Sequence, residues 1–184
     1  CIQMPSLSVN AHVAELGWRG PVGSNAVAGT TGQSLQMEAF AISATSAEDG
    51  SAIGGGISYA AHVQDIGWQD EVVSGETAGT TGCKKGVEGT TSQGKRIEAI
   101  KIRLTGELNT YFDVYYRVHV DELGWLGWAK NGDAAGTTSC RLAVQAIQVV
   151  VVRKGATAPG LTAGASVFTI CRISNARIVL QGFK

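Results

Sequence analysis

Three short segments of this chain place the same chemical groups at the same spacing: HVAELGW at 12–18, HVQDIGW at 62–68 and HVDELGW at 119–125. An imidazole next to a carboxylate invites acid–base chemistry. His12 and His62 each have such a group within reach, at Glu38 and Glu98, and His119 has the amide of Gln145, if the segments bearing them lie on neighbouring strands. The indoles of Trp18, Trp68 and Trp125 offer a broad apolar face and one N–H donor. They suit stacking on a sugar ring or anchoring a protein partner, and equally suit plugging a core beside a tight glycine turn. Glu15, Asp65 and Glu122 precede each Gly-Trp, and with Glu76 or Asp133 they supply oxygens of the kind calcium takes. No Asp-x-Asp-x-Asp loop accompanies them, so a turn-stabilising hydrogen bond is the simpler role. Trp128, present in one copy alone, and the neighbouring Asn131 and Asp133 complete the candidate ligand contacts.

Repetition bears on the chemistry. A polar pair that recurs in copies within one small body points to architecture, because an active site is gathered once. The chain has no GxSxG, HExxH or Walker loop and no cysteine beside a motif histidine, so the reading is a non-catalytic protein without cofactor or metal.

Elements that would position these groups follow from the pattern. In every copy a Gly-Thr-Thr begins eleven residues after the Trp, at Gly29, Gly79 and Gly136, and an alternating apolar segment follows. Tyr59, Ala61 and Val63 alternate with Ala60, His62 and Gln64, and Tyr116, Val118 and Val120 alternate with Arg117, His119 and Asp121. This period of two belongs to strands with one buried face and places each histidine on the other. Ser74-Gly75-Glu76 and Asn131-Gly132-Asp133 are hairpin-grade turns. No window shows a convincing helical period. The second copy is longer because GTTGCKKGVE at 79–88 is nearly repeated by GTTSQGKRIE at 89–98; a surface turn absorbs such a duplication at small entropic cost.

The expected organisation is one all-β domain over 1–184, with repeats at about 6–43, 56–105 and 112–153 and closing strands at 160–184. Three copies, each too small to bury its own apolar face, would close about a pseudo-threefold axis as a β-prism-like body, with a β-trefoil as the alternative. The 25 glycines and a charged fraction of 16%, against about 25% in ordinary soluble domains, fit short strands and tight turns. With 15 basic and 15 acidic residues in balance, no basic stripe exists for nucleic acid. No apolar run approaches the roughly 20 residues of a membrane span. Cys1, Cys83, Cys140 and Cys171 form no metal-binding spacing and allow three disulfide pairings. Cys83 with Cys140 is the first to try, since they occupy the same place in two repeats.

The H-V-x-x-[IL]-G-W core, the A-G-T-T and the [RQ]-[IML]-E-A-[IF] strand together resemble the clostridial hydrophobic repeats named for their tryptophan, from about residue 6 to about 153. The resemblance implies a module of a secreted or cell-surface protein of Gram-positive bacteria, part of a longer parent chain and adhesive in role. The expected partner is a glycan of the cell wall or of a host or plant surface, with a surface protein or self-assembly as the alternative. Trp125 and Trp128 are expected to dominate, since the family often carries a second Trp and only the third copy keeps it.

Overall fold

The computed structural model describes residues 1–80, 94–160, 164–174 and 177–181, with backbone alone beyond 169. The chain is all-β. The first repeat contributes β1 (Ser6–Val13), β2 (Gly17–Val22), β3 (Val27–Gly29) and β4 (Met37–Thr45). A small hairpin, β5 (Ala47–Glu48) and β6 (Ser51–Ala52), leads into the second repeat. That repeat holds β7 (Gly56–Val63), β8 (Gly67–Trp68), β9 (Val72–Val73), β10 (Thr77–Gly79) and β11 (Ile97–Thr105). After helix α1 (Gly106–Tyr111) come β12 (Phe112–Val120), β13 (Gly124–Trp125), β14 (Ala129–Lys130), β15 (Ala135–Thr137) and β16 (Val144–Arg153). The end of the chain adds β17 (Val167–Phe168), β18 (Ile170–Ser174) and β19 (Arg177–Gln181).

Each repeat builds one sheet around a long antiparallel pair: β1 with β4, β7 with β11, β12 with β16. Alternation sets the face. Tyr116, Val118 and Val120 are fully buried while Arg117 and His119 reach solvent. A one-residue slip would expose all three, at about 1.5–3 kcal/mol per side chain. The inward faces of the three sheets merge in one apolar cluster that includes Phe40, Tyr59, Ile100, Phe112 and Ile147.

The sheets are joined by exchange of edges. The Ala-Gly strand of each repeat leaves its own sheet and pairs with the second long strand of another: β10 with β4, β15 with β11, and β3 with β16. Gly79 lies opposite Ala39, Gly136 opposite Ala99 and Gly29 opposite Ala146, so the three handovers are equivalent and form a closed cycle. The glycine of each Gly-Thr-Thr thus belongs to an edge strand, which ends at Gly29 and at Gly79 and runs on to Thr137 in the third copy, and β3 on β16 completes the cycle of exchanges without the C-terminal strands. Of the latter, β17 extends the second sheet in parallel to β15, while β18 and β19 pair with each other.

Three further features bear on the sequence reading. Helix α1 was not foreseen: at six residues it is too short to show a period, and it is entered through Gly106, whose φ of +60° and close approach to Gly55 suit glycine. Thr80 and Lys95 hydrogen-bond each other through the Thr80 hydroxyl, which pins the first of the duplicated ten-residue units to the second. Cys140 is disulfide-bonded and Cys1 is free; Cys83, the expected partner of Cys140, lies outside the described residues.

Candidate functional site

The turn between the first two strands of each repeat has one geometry in all three copies. Glu15, Asp65 and Glu122 take φ of +67°, +63° and +65°, and Gly17, Gly67 and Gly124 follow at +76°, +84° and +75°. The backbone N–H of Leu16, Ile66 and Leu123 donates to the carbonyl of Val13, Val63 and Val120 at 3.2, 3.1 and 3.1 Å. The recurring acidic residue therefore marks a left-handed turn position, one at which Asp is tolerated better than most side chains. Among the described residues, no three His, Cys, Asp or Glu side chains converge as metal ligands would.

This turn sets His and Trp directly opposite each other: His12 with Trp18, His62 with Trp68, His119 with Trp125. Their rings meet edge-on in each pair, with centroids 5.4 Å apart and planes at 84°, 81° and 84°. Directly opposed side chains on a strand pair are the closest neighbours a sheet provides, so each indole is held by its histidine.

The other side of each imidazole faces a β-bulge. Between His12 opposite Ala39 and Val13 opposite Met37, Glu38 is the extra residue; Glu98 and Gln145 are extra in the same way. A bulge re-aims the side chain it carries, here toward the ring. His12 Nδ1 lies 3.3 Å from Glu38, and His62 Nδ1 3.3 Å from Glu98, close together but without the alignment of a hydrogen bond. His119 Nδ1 reaches Gln145 Oε1 at 3.0 Å in hydrogen-bond geometry. An imidazole carrying its hydrogen on Nδ1 suits a carboxylate or an amide oxygen alike. The predicted His–acceptor pairs are thus present in all three copies, and the two parts of the motif meet across β1–β4, β7–β11 and β12–β16.

The bulge also explains the Gly-Thr-Thr motif. A Cβ on Gly29, Gly79 or Gly136 would lie 2.5, 2.2 or 2.4 Å from the carbonyl oxygen of Gln145, Glu38 or Glu98. Glycine is required where another repeat's edge strand comes down on the bulge.

Around the indoles the copies diverge. Trp18 and Trp68 are 41% and 36% exposed, whereas Trp125 and Trp128 are half-buried. The Arg117 guanidinium lies over both of the latter, 4.5 and 4.9 Å from their ring centroids, and its Nε donates to Gln148 Oε1 at 2.8 Å. Gly160 closes on the Trp128 Nε1, and Gly127 packs against Gly164, with its N–H donating to the Ala165 carbonyl at 3.0 Å. The tryptophan peculiar to the third copy therefore lies under the C-terminal segment. At Trp68 the Lys101 ammonium stands 4.2 Å from the ring centroid. Beside it opens a cleft of about 290 Å³ lined by Ala60, Trp68, Gln69, Glu71, Lys101, Ile102, Arg103 and Gly132. Arg117 and Lys101 were absent from the sequence-based candidates. Their signal was position: Arg117 shares the outward face of β12 with His119, and Lys101 lies opposite Ala60 on that of β11.

Asn131 is engaged within the fold. Its Nδ2 donates to Asp113 at 2.8 Å and its Oδ1 accepts from the Val114 N–H at 2.9 Å. The Asp133 carbonyl accepts from the Tyr116 hydroxyl, while the Asp133 side chain is exposed. Burial pushes the Asp113 carboxyl up, but the Gly155 N–H, the Asn131 amide and the Lys154 ammonium together outweigh it and hold the group well below the usual carboxylate range.

A family model described as Clostridial hydrophobic W matches residues 12–45, 62–89, 83–106 and 119–153, more than half of the chain. The second repeat is matched twice in overlapping segments, as the tandem duplication within it requires. No curated protein and no solved structure matches the chain.

Proposed function

From a chain that belongs to the Clostridial hydrophobic W family, we propose a non-catalytic binding module of a secreted or cell-surface protein, with a glycan as its ligand. The observation that carries this reading is the pair of exposed indoles, Trp18 and Trp68, at equivalent places in two repeats, each braced edge-on by a histidine. A large apolar ring held rigid before the ligand arrives loses little freedom on binding. Two weak platforms on one body also reinforce each other through effective concentration. The weight expected for Trp125 and Trp128 moves to Trp18 and Trp68, because the latter are exposed while the former are half-buried beneath an Arg117 that Gln148 holds in place.

Absence of catalysis is inferred from the third copy. Gln145 stands where Glu38 and Glu98 stand in the others and keeps the same contact with histidine. An amide accepts a hydrogen bond but does no acid–base work at neutral pH, so the shared role of the pair is to orient the imidazole.

Pull-down on insoluble polysaccharides and on Gram-positive wall fractions tests the proposal. Wild type should be retained by at least one, Trp18→Ala and Trp68→Ala should each weaken retention several-fold, and the double variant should lose most of it. Retention by none, or a double variant that behaves as wild type, overturns it. Protein binding or self-assembly is the second reading. It is favoured by Leu16 and Ile66, exposed in the same turns as the two indoles, and native mass spectrometry showing concentration-dependent association without glycan affinity would establish it.

A further inference from the structure

We infer that the cleft at Trp68 takes a sugar that carries a carboxylate, with Lys101 as its counter-ion; this rests on the glycan reading above. The inference comes from what differs among three otherwise equivalent places. At the cross-strand position two residues before the motif histidine, the first repeat pairs Asn10 with Ala41, the second Ala60 with Lys101, and the third Arg117 with Gln148. The first copy puts no cation from this pair beside its indole. In the third, Arg117 is committed, lying over two half-buried rings and donating to Gln148.

The second copy differs from both. Lys101 is exposed and, among the described residues, makes no ion pair or hydrogen bond; its one contact is the face of Trp68. The other cation lining the cleft, Arg103, is neutralised by a two-pronged contact with Glu71, Nε to Oε1 at 2.6 Å and Nη2 to Oε2 at 2.9 Å. The cleft therefore holds one uncompensated positive charge next to an exposed apolar ring.

An exposed ammonium–indole contact is weak and a charge-assisted hydrogen bond to a carboxylate is stronger, so an acidic ligand draws Lys101 off the ring and gains the ring face as a platform. At about 290 Å³ the cleft falls at the lower end of the roughly 300–1,000 Å³ of ligand pockets, which suits one sugar ring. The Gln69 amide on its wall remains to meet a hydroxyl: Gln69 Oε1 accepts from the Gly79 N–H, which leaves its Nε2 as a donor.

Affinity electrophoresis of the whole chain through polygalacturonate, and through the same polymer with its carboxyls reduced to alcohols, tests this. Wild type should bind the acidic polymer roughly tenfold more tightly than the reduced one, the scale of one charge-assisted hydrogen bond, and added salt should shrink the gap. Lys101→Gln should bring binding of the acidic polymer down to the reduced-polymer level, while Trp68→Ala weakens both. Equal binding of the two polymers, or a Lys101→Gln variant that keeps the preference, overturns the inference. In that case Trp18- and Trp68-dependent binding of the reduced polymer leaves the glycan reading standing. Failure to bind these or any wall polysaccharide removes both.

Discussion

The side-chain amide nitrogen of Gln145 lies 3.4 Å from the Asp121 carboxylate, while its oxygen meets His119. The first and second repeats place Ala14 and Gln64 where the third has Asp121. A glutamate at 145 would set two carboxylates side by side, whereas an amide donates to one neighbour and accepts from the other. The departure of the third copy from the Glu pattern is thus a local charge correction.

Gln145→Glu should then destabilise the chain by about 1–2 kcal/mol at neutral pH, through like-charge repulsion and a lost hydrogen bond. Adding Asp121→Asn should recover most of that loss. Glu98→Gln keeps an acceptor for His62 but gives up the charge that Arg96 meets at 3.2 Å, and should cost less than Gln145→Glu, about 1 kcal/mol or below. Urea titration of wild type and the three variants measures this, and an unaltered midpoint for Gln145→Glu would contradict it.

Glycines of two kinds should respond differently to alanine. Gly79→Ala and Gly136→Ala force a Cβ onto a bulge carbonyl at positive φ and should cost about 3 kcal/mol, or roughly 6–12 °C of melting temperature in a chain this size. Gly67→Ala meets nothing within 4 Å and carries only the left-handed penalty, about 1 kcal/mol. Thermal melts that rank Gly67→Ala as the worst of the three would refute the docking explanation.

Acid should weaken the third repeat through Asp113. Its carboxyl is held below the ordinary value of about 3.9, so its contribution is complete above that pH and disappears as pH falls through the depressed folded value. Asp113→Asn should be less stable than wild type at neutral pH, with the gap narrowing once pH falls below about 3.9, toward the depressed folded value. Unfolding free energies measured across that range decide it, and a gap that stays constant would rule Asp113 out.

Tyr116 sends its hydroxyl across a seam between sheets, donating to the Asp133 carbonyl. Burial pushes this phenol up, well beyond its usual value. The folded chain therefore holds the proton more tightly than the unfolded one. The stabilisation is intact below about pH 10 and is lost as pH climbs toward the raised folded value. Tyr116→Phe should cost about 1–2 kcal/mol at pH 7 and show a shallower decline above pH 10; equal alkaline slopes in denaturant titrations would argue against it.

Much of this molecule could be read before it was seen. Period-two alternation placed Tyr116, Val118 and Val120 inward and His119 outward, since one buried face per strand leaves no other assignment. The recurring His–acceptor pairing and the turn at Asn131-Gly132-Asp133 also followed from local spacing, but that turn is no hairpin: β14 before it pairs with β12 and β15 after it pairs with β11, in another sheet. The covering of Trp128 by the segment around Gly160 did not, because it depends on residues more than thirty positions away whose local sequence says nothing of where they dock.

Residue types and their offsets determined the three copies, the strand faces, and the contacts within each long strand pair, because neighbours on a strand and across a short connection are fixed by backbone geometry. Tertiary structure alone decided that Ala-Gly at 28–29, 78–79 and 135–136 pairs with another repeat. Three nearly identical acceptor strands are equivalent to any local rule, and only closure of the cycle over a shared core chooses among them. The same closure decided which indoles face solvent, and among the described residues it leaves Lys101 without a carboxylate partner.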